Sequence, residues 1–531
     1  MTRHGPSCLA LVLLFAAGVP SLAGPPVRFE IDAGQRRPIS PYIYGTNQPN
    51  WQRGPLYSLV RWGGNRMSTY NWVNNASNAG AEGDHQNDGY LSPINLPGDP
   101  VRRLAGEAFA AEASILVTVP MLGHVAQDKR ADGDVARTPN YLTNRFCASL
   151  PRKSRRFDIP PDLNDGRVYQ DEFVNWLEVT FPQARRDARR TIFYALDNKP
   201  DLWSLTHARL HPEKTRYDEI VRLGVEYAAA IKTAAPQALV FGPVTCNWDG
   251  YDTLRDAPDA RGRDFLEFYL DEMREAQRPS GRRLLDVLDL HWYPEAQGGG
   301  VRITEDDPRR DVATARVQAP RSLWDPSYVE DSWTTQNRTH GPIRLLPRMR
   351  EKIDKHYRGT RLAISEYYYG GGGDISGALA QADVLGIFGR EGVFAAALWH
   401  MGRTDDRFIQ AAFAMFRNYD GRGGAFGSIG LAAKTNDVEH TSVYASLDWQ
   451  DKAVLVVLNK SLEPRLAEFV LRRVPPRTFA NVYQLTKASP WPVRSQDLLV
   501  DSSGSLHCQL PSQSVSTLVL LPEKPKRTTW P

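Results

Sequence analysis

Short apolar runs ending in polar or aromatic residues recur along most of the chain, with helix-like stretches between them. In order they are Pro41–Gly45, Leu59–Gly63, Ile115–Pro120, Ile192–Leu196, Ala238–Pro243, Val287–Tyr293, Leu362–Tyr367 and Phe394–Trp399. Their apolarity is continuous rather than alternating, as in strands buried on both faces. Between them, residues 216–233 carry Ile220, Leu223, Tyr227, Ala230 and Ile231 on one side of a helix. Residues 265–275 and 343–357 repeat that pattern. Strands alternating with helices predict a parallel (β/α)8 barrel of the TIM type, in which chemistry sits at the C-terminal ends of the strands.

The flanks follow a different period. Val27, Phe29 and Ile31 alternate with polar neighbours ahead of the first barrel strand. From about Glu439 the helical period gives way to strand-like runs at Ser442–Leu447, Ala453–Leu458, Ala467–Leu471, Val482–Leu485 and Ser516–Leu521, separated by turn residues. This segment reads as an attached β-sandwich domain that the N-terminal strand joins. The expected divisions are a leader over 1–23, the joining strand within 24–40, the barrel over 41–435, the β-sandwich over 436–523 and a tail over 524–531.

The leader changes the expected address. Arg3 and His4 precede an apolar run from Leu9 to Val19, and Ser21 and Ala23 occupy the small-residue positions before Gly24. That is the pattern of a cleaved signal peptide, and its apolar run is too short to span a bilayer. The mature chain is expected to be secreted or periplasmic, off the membrane and monomeric. The formal net charge of +4 is spread over both signs, whereas nucleic-acid binding needs a concentrated basic face. Cys8 leaves with the leader, so Cys147, Cys246 and Cys508 can form at most one disulfide. No cofactor or metal is expected: there is no H-E-x-x-H, and Asp84, His85, Asn87 and Asp88 lack ligand spacing. The run Gly370–Gly373 lacks the Lys-Ser/Thr of a phosphate loop and reads as a flexible cleft loop.

The strand ends carry the candidate chemistry. The second ends in Trp62-Gly63-Gly64-Asn65, the fourth in Asp197-Asn198-Lys199, the sixth in His291-Trp292-Tyr293, and the eighth in Trp399-His400. The seventh runs straight into Ser365-Glu366-Tyr367, a good address for a catalytic carboxylate. With 13 Trp and 21 Tyr, the chain also has ample flat faces for stacking on sugar rings.

In eight segments the chain resembles the family 44 glycoside hydrolases, endoglucanases and xyloglucanases. They are PYIYGTN (41–47), RWGGNRMSTYNWVNNASNAG (61–80), FYALDNKPDLWSLTHARLHP (193–212), FGPVTCNWDGYD (241–252), LDLHWYPE (288–295), RSLWDPSYVEDSW (321–333), AISEYYYGG (363–371) and FRNYDG (416–421), in family order. The resemblance implies a barrel with an attached β-sandwich and a retaining mechanism on β-1,4-glucan backbones. Retention needs two carboxyl groups about 5–5.5 Å apart, one attacking the anomeric carbon and one giving and taking the proton. The resemblance makes Glu366 the nucleophile. It places the acid/base at the Glu of an Asp-Asn-Glu-Pro stretch, where this chain reads Asp197-Asn198-Lys199-Pro200.

Lysine is a poor substitute, because an ammonium with an ordinary pKa near ~10.4 holds its proton too tightly. Lys199 is expected instead to pair with Glu366. Asp201, Glu295 and Asp197 are other carboxyls near the barrel mouth. Trp62, Trp324, Trp333 and Trp399 match aromatic positions in family segments, and with Tyr293 they are expected to line the cleft. Asn198 is expected to hydrogen-bond a substrate hydroxyl. Two functions stay open: a hydrolase with reduced or rerouted acid catalysis, and a non-catalytic glucan-binding protein on a retired hydrolase barrel.

Overall fold

The computed structural model describes residues 26–521 except 164, 280, 402, 475–476 and 503 with its neighbour 502. The expected leader (1–23) and tail (524–531) lie outside the described residues.

Eight parallel strands close into a barrel: Gly45–Thr46, Leu59–Trp62, Ser114–Val119, Ile192–Leu196, Val240–Cys246, Val287–Trp292, Arg361–Tyr367 and Ala395–Leu398. All eight lie on or beside the apolar runs. The first is the one that moves. Pro41–Ile43 is a 3-10 helix, and the strand is only Gly45–Thr46. Ser40 accepts a hydrogen bond from the Tyr42 N–H and Pro41 takes the first helical position, so the local start signal outweighs the apolar run. The three helical patterns are helices over Tyr217–Ala234, Phe265–Gln277 and Leu345–His356.

Two breaks in the barrel register matter for the site. Leu290 pairs with Ile364 and His291 with Glu366, so Ser365 is an extra residue in the seventh strand. Strict alternation would put Ala363 and Ser365 on one face and Glu366 on the other. The bulge instead turns Glu366 to the same side as His291, toward the barrel axis. In the fifth strand Val244 is the extra residue, with φ +61, and its carbonyl accepts the Lys199 N–H.

The second unit is a nine-stranded sheet. Its spatial order is Ser489–Leu499, Phe479–Thr486, Ser514–Leu521, Ala453–Asn459, Thr441–Leu447, Ile429–Thr435, Val27–Pro38, Arg465–Arg472 and Ser505–Leu510. The N-terminal strand lies in this sheet, parallel to Arg465–Arg472 and antiparallel to Ile429–Thr435. That last strand starts the sheet several residues ahead of the 435/436 division; its Gly430, Ala432 and Ala433 mute the strand signal. One face encloses its own core, with Phe29 stacked on Phe469 at 4.9 Å among Ile31, Val443, Leu455 and Leu518. The other face, through Tyr444, Val454, Val456 and Val519, joins the main core around the barrel.

Candidate active site at the barrel mouth

Glu366 is 1% exposed, and four polar side chains meet its carboxylate. Arg61 Nη1 lies 2.7 Å from Oε1. On the other oxygen, Oε2, the Tyr293 hydroxyl donates at 2.8 Å, Lys199 Nζ stands at 2.9 Å, and His291 Nδ1 at 3.1 Å. The expected ion pair between Lys199 and Glu366 is therefore present. Lys199 is the more exposed partner, and its ammonium also sits 5.4 Å from the centre of the Tyr293 ring.

Electrostatics follow from that shell. Burial pushes the Glu366 carboxyl up, but His291, the Lys199 ammonium and the Arg61 guanidinium outweigh it and hold it well below the usual carboxylate range. Burial alone would lower the Lys199 ammonium, yet the facing Glu366 carboxylate raises it above an ordinary lysine. His291, buried between charges, is pushed down to about 3 chiefly by desolvation, so its ring is neutral near pH 7. Its Nε2 lies 3.1 Å from the Ser365 hydroxyl.

Arg61 is the hub that sequence reasoning missed. Besides Glu366, its guanidinium donates to Asn47 Oδ1 at 3.1 Å and Asn198 Oδ1 at 2.8 Å. Asn198 in turn donates to Asn65 Oδ1 at 2.9 Å, and Asn65 donates to Glu82 Oε1 at 2.6 Å. A charged residue inside the apolar run Leu59-Val60-Arg61-Trp62 was the available signal. Buried charges need partners, so it points at a carboxylate inside the barrel.

The aromatic residues divide. Because Arg61 faces the axis, Trp62 faces away from it; it is 7% exposed and packs edge-on against Tyr70 at 5.3 Å. That contact places it in the core around the barrel. Trp324 is displaced from the expected cleft. Its ring lies 4.0 Å from the Arg390 guanidinium, at the last turn of helix Ile375–Glu391, the end away from the strand C-termini. Trp399 does border the mouth, half-buried against Gly64. Trp333 is half-buried and hydrogen-bonds Glu295 beyond the sixth strand. Tyr293 uses its hydroxyl on Glu366 rather than standing free for a sugar.

The other carboxyls near the fourth strand are engaged elsewhere. Asp197 accepts from the Ser68 hydroxyl and the backbone N–H groups of Met121 and Asn198. Asp201 accepts from the Cys246 N–H at 3.0 Å and pairs with Arg255 at 3.1 Å. Burial raises both to about 6. Glu295 pairs with Arg302 at 2.8 Å. Asp88, in the loop weighed as a metal site, pairs with Arg66. The Gly370–Gly373 run, expected to be flexible, is tightly packed: a Cβ on Gly370 would fall 2.0 Å from the Ile303 carbonyl oxygen.

Comparison with known proteins decides the family. The model of glycoside hydrolase family 44 matches residues 62–296. Endoglucanase A of Paenibacillus lautus is 40% identical over 486 residues, which span 86% of this chain and 67% of that protein. The chain belongs to glycoside hydrolase family 44. Beta-mannanase/endoglucanase A of Caldicellulosiruptor saccharolyticus is also 40% identical, over 484 residues, but this family 44 chain spans only 36% of its length. The structure of a family 44 xyloglucanase from Paenibacillus polymyxa superposes with a TM-score of 0.88 at 38% identity, covering 93% of this chain and 99% of that one. Its fold agrees with the closed barrel and the separate large sheet described above.

Proposed function

We propose that this family 44 chain is an exported, monomeric glycoside hydrolase acting on β-1,4-glucan backbones, xyloglucan among them, with an impaired proton-transfer step. Glu366 attacks the anomeric carbon, and Lys199 stands where the family pattern has its proton donor. The relatives support the substrate class, being named as endoglucanases and a xyloglucanase. The observation that carries the reading is the 2.9 Å contact between Lys199 Nζ and Glu366 Oε2. It keeps the nucleophile ionised, as attack requires. It also spends the ammonium on the carboxylate and holds its proton more tightly than a free lysine would. Trp333, Trp399 and Asn198 are the cleft residues retained in the proposal, and no metal or cofactor is invoked.

A positioned general acid is worth roughly 10²–10⁴ in rate. Lys199→Glu should therefore raise turnover of xyloglucan and carboxymethyl-cellulose by at least about 100-fold. Native protein that hydrolyses both well, with a variant that gains nothing, would sink the reading. An aryl cellobioside with a good leaving group should be turned over by the native protein in preference to glucan, and azide should accelerate that turnover.

The same ion pair favours a second reading, glucan binding without catalysis, because it caps the nucleophile. That reading predicts retained glucan binding with no turnover even of the aryl substrate.

A further inference from the structure

With position 199 unable to give a proton, another carboxyl must do so for glucan to be cleaved. The candidates are two carboxyl groups tied by hydrogen bonds to residues around Glu366, Asp289 and Glu82. Asp289 is fully buried and accepts the Ser365 N–H at 3.1 Å, below the layer of Glu366. Glu82 is exposed and accepts a hydrogen bond from Asn65.

Its placement is built rather than incidental. Glu82 sits in the 3-10 turn Gly80–Gly83, which packs on helix Trp203–Thr206, the segment directly after Lys199-Pro200-Asp201-Leu202. Gly80 has φ +62, and a Cβ there would lie 1.8 Å from the Thr206 carbonyl oxygen, so the turn is seated as closely as backbone allows. From the other side Asn65 Nδ2 holds Glu82 Oε1 at 2.6 Å, at the end of the hydrogen-bonded line Glu366–Arg61–Asn198–Asn65. One carboxylate oxygen is thus fixed by the site, while Oε2 has no hydrogen-bond partner to compete with substrate among the described contacts of this residue.

We propose that Glu82 is the stand-in acid/base of this active site, delivering the proton to the leaving glycosidic oxygen and recovering it from water. The inference rests on the reading of Glu366 as nucleophile. In the first step a Glu366 oxygen bonds the anomeric carbon, the glycosidic C–O bond breaks, and the Glu82 proton moves to the departing oxygen. In the second, water attacks the anomeric carbon, the ester to Glu366 breaks, and the water proton returns to Glu82. Partial desolvation raises the Glu82 carboxyl above its ordinary value, with the Lys199 ammonium opposing.

The test uses the native chain, E82Q, K199E and the double variant, on xyloglucan and on dinitrophenyl cellobioside, whose leaving group needs no proton. E82Q should lower xyloglucan turnover by about 100-fold or more and remove the alkaline limb of its pH–rate profile. The burst of dinitrophenolate from the aryl substrate should persist. In the K199E background, where position 199 again offers a carboxyl, the cost of E82Q should shrink by about tenfold or more; a merely structural Glu82 would cost the same in both. E82Q at the native rate, with its alkaline limb intact, overturns the assignment of Glu82 and leaves Glu366 as nucleophile standing. Native protein that shows neither glucan turnover nor a burst overturns both.

Discussion

At the scale of single residues, the buried charges around Glu366 hold one another in place. Arg61 gives its guanidinium to Glu366, Asn47 and Asn198 at once, and it is 1% exposed. Removing one partner of a buried pair strands the other and typically costs 3–5 kcal/mol. Arg61→Met should lose about that much in urea unfolding, read from the midpoint at unchanged slope. Arg61→Lys should recover little, because a point ammonium cannot reach three acceptors fixed for a planar fork. His207 supplies a pH test. Burial pushes its pKa from 6.5 down to about 4. The unfolded chain binds the extra proton between those values, so stability is lost as pH falls from about 6.5 to 4. Relative to His207→Gln, the native protein should lose about 3 kcal/mol over that window, at roughly 1.36 kcal/mol per unit; parallel pH–stability curves would refute this. Glu366 was legible in the sequence because it stands at the polar end of an apolar run, whereas the place of Lys199 came from the family resemblance. Arg61 was passed over although its charge inside an apolar run was a signal, and His291 was named only as a strand-end residue, since the inward face of a strand cannot be read where both faces are apolar.

At the scale of elements, the runs located the strands but not their register. The extra residues Ser365 and Val244 are invisible in an apolar pattern, yet they decide which side chains face the axis. The same limit hid Ser489–Leu499, whose two prolines and mostly exposed residues suit the sheet edge it forms. Trp324 shows another limit: its segment lies between the sixth and seventh strands, and no local pattern says which end of the barrel such a loop returns to. Contacts between elements far apart in sequence are equally silent, and the seat of turn Gly80–Gly83 on helix Trp203–Thr206 is one. Gly80→Ala adds a Cβ 1.8 Å from a carbonyl oxygen at a positive φ. The turn must lift away, and the cost should exceed about 1 kcal/mol. Thermal unfolding measures that cost. If Glu82 carries the proton, glucan turnover should fall with it, while the aryl-substrate burst stays.

At the scale of the whole molecule, barrel and sheet share one continuous apolar core, with helix Ile375–Glu391 lying between them. One buried ion pair crosses that boundary. Asp383, on the helix, meets Lys460 Nζ at 2.8 Å, just past strand Ala453–Asn459, and both side chains are 2% exposed. The Tyr444 hydroxyl donates to the same carboxylate at 2.6 Å. Apolar burial supplies most of the attraction between the two units. The ion pair sets their alignment, because an ammonium and a carboxylate out of water tolerate little misplacement. Asp383→Ala leaves the Lys460 ammonium buried without its partner, so the loss should reach about 3–5 kcal/mol. Calorimetry should show it as a lower unfolding temperature for the coupled transition. Replacing the group as a whole, with Asp383→Leu, Lys460→Met and Tyr444→Phe together, strands no polar atom and should recover most of that loss. If the triple variant is as unstable as Asp383→Ala, the charges are themselves what joins the two units. Recovery would instead show that the shared core joins them and that the ion pair only fixes how they meet.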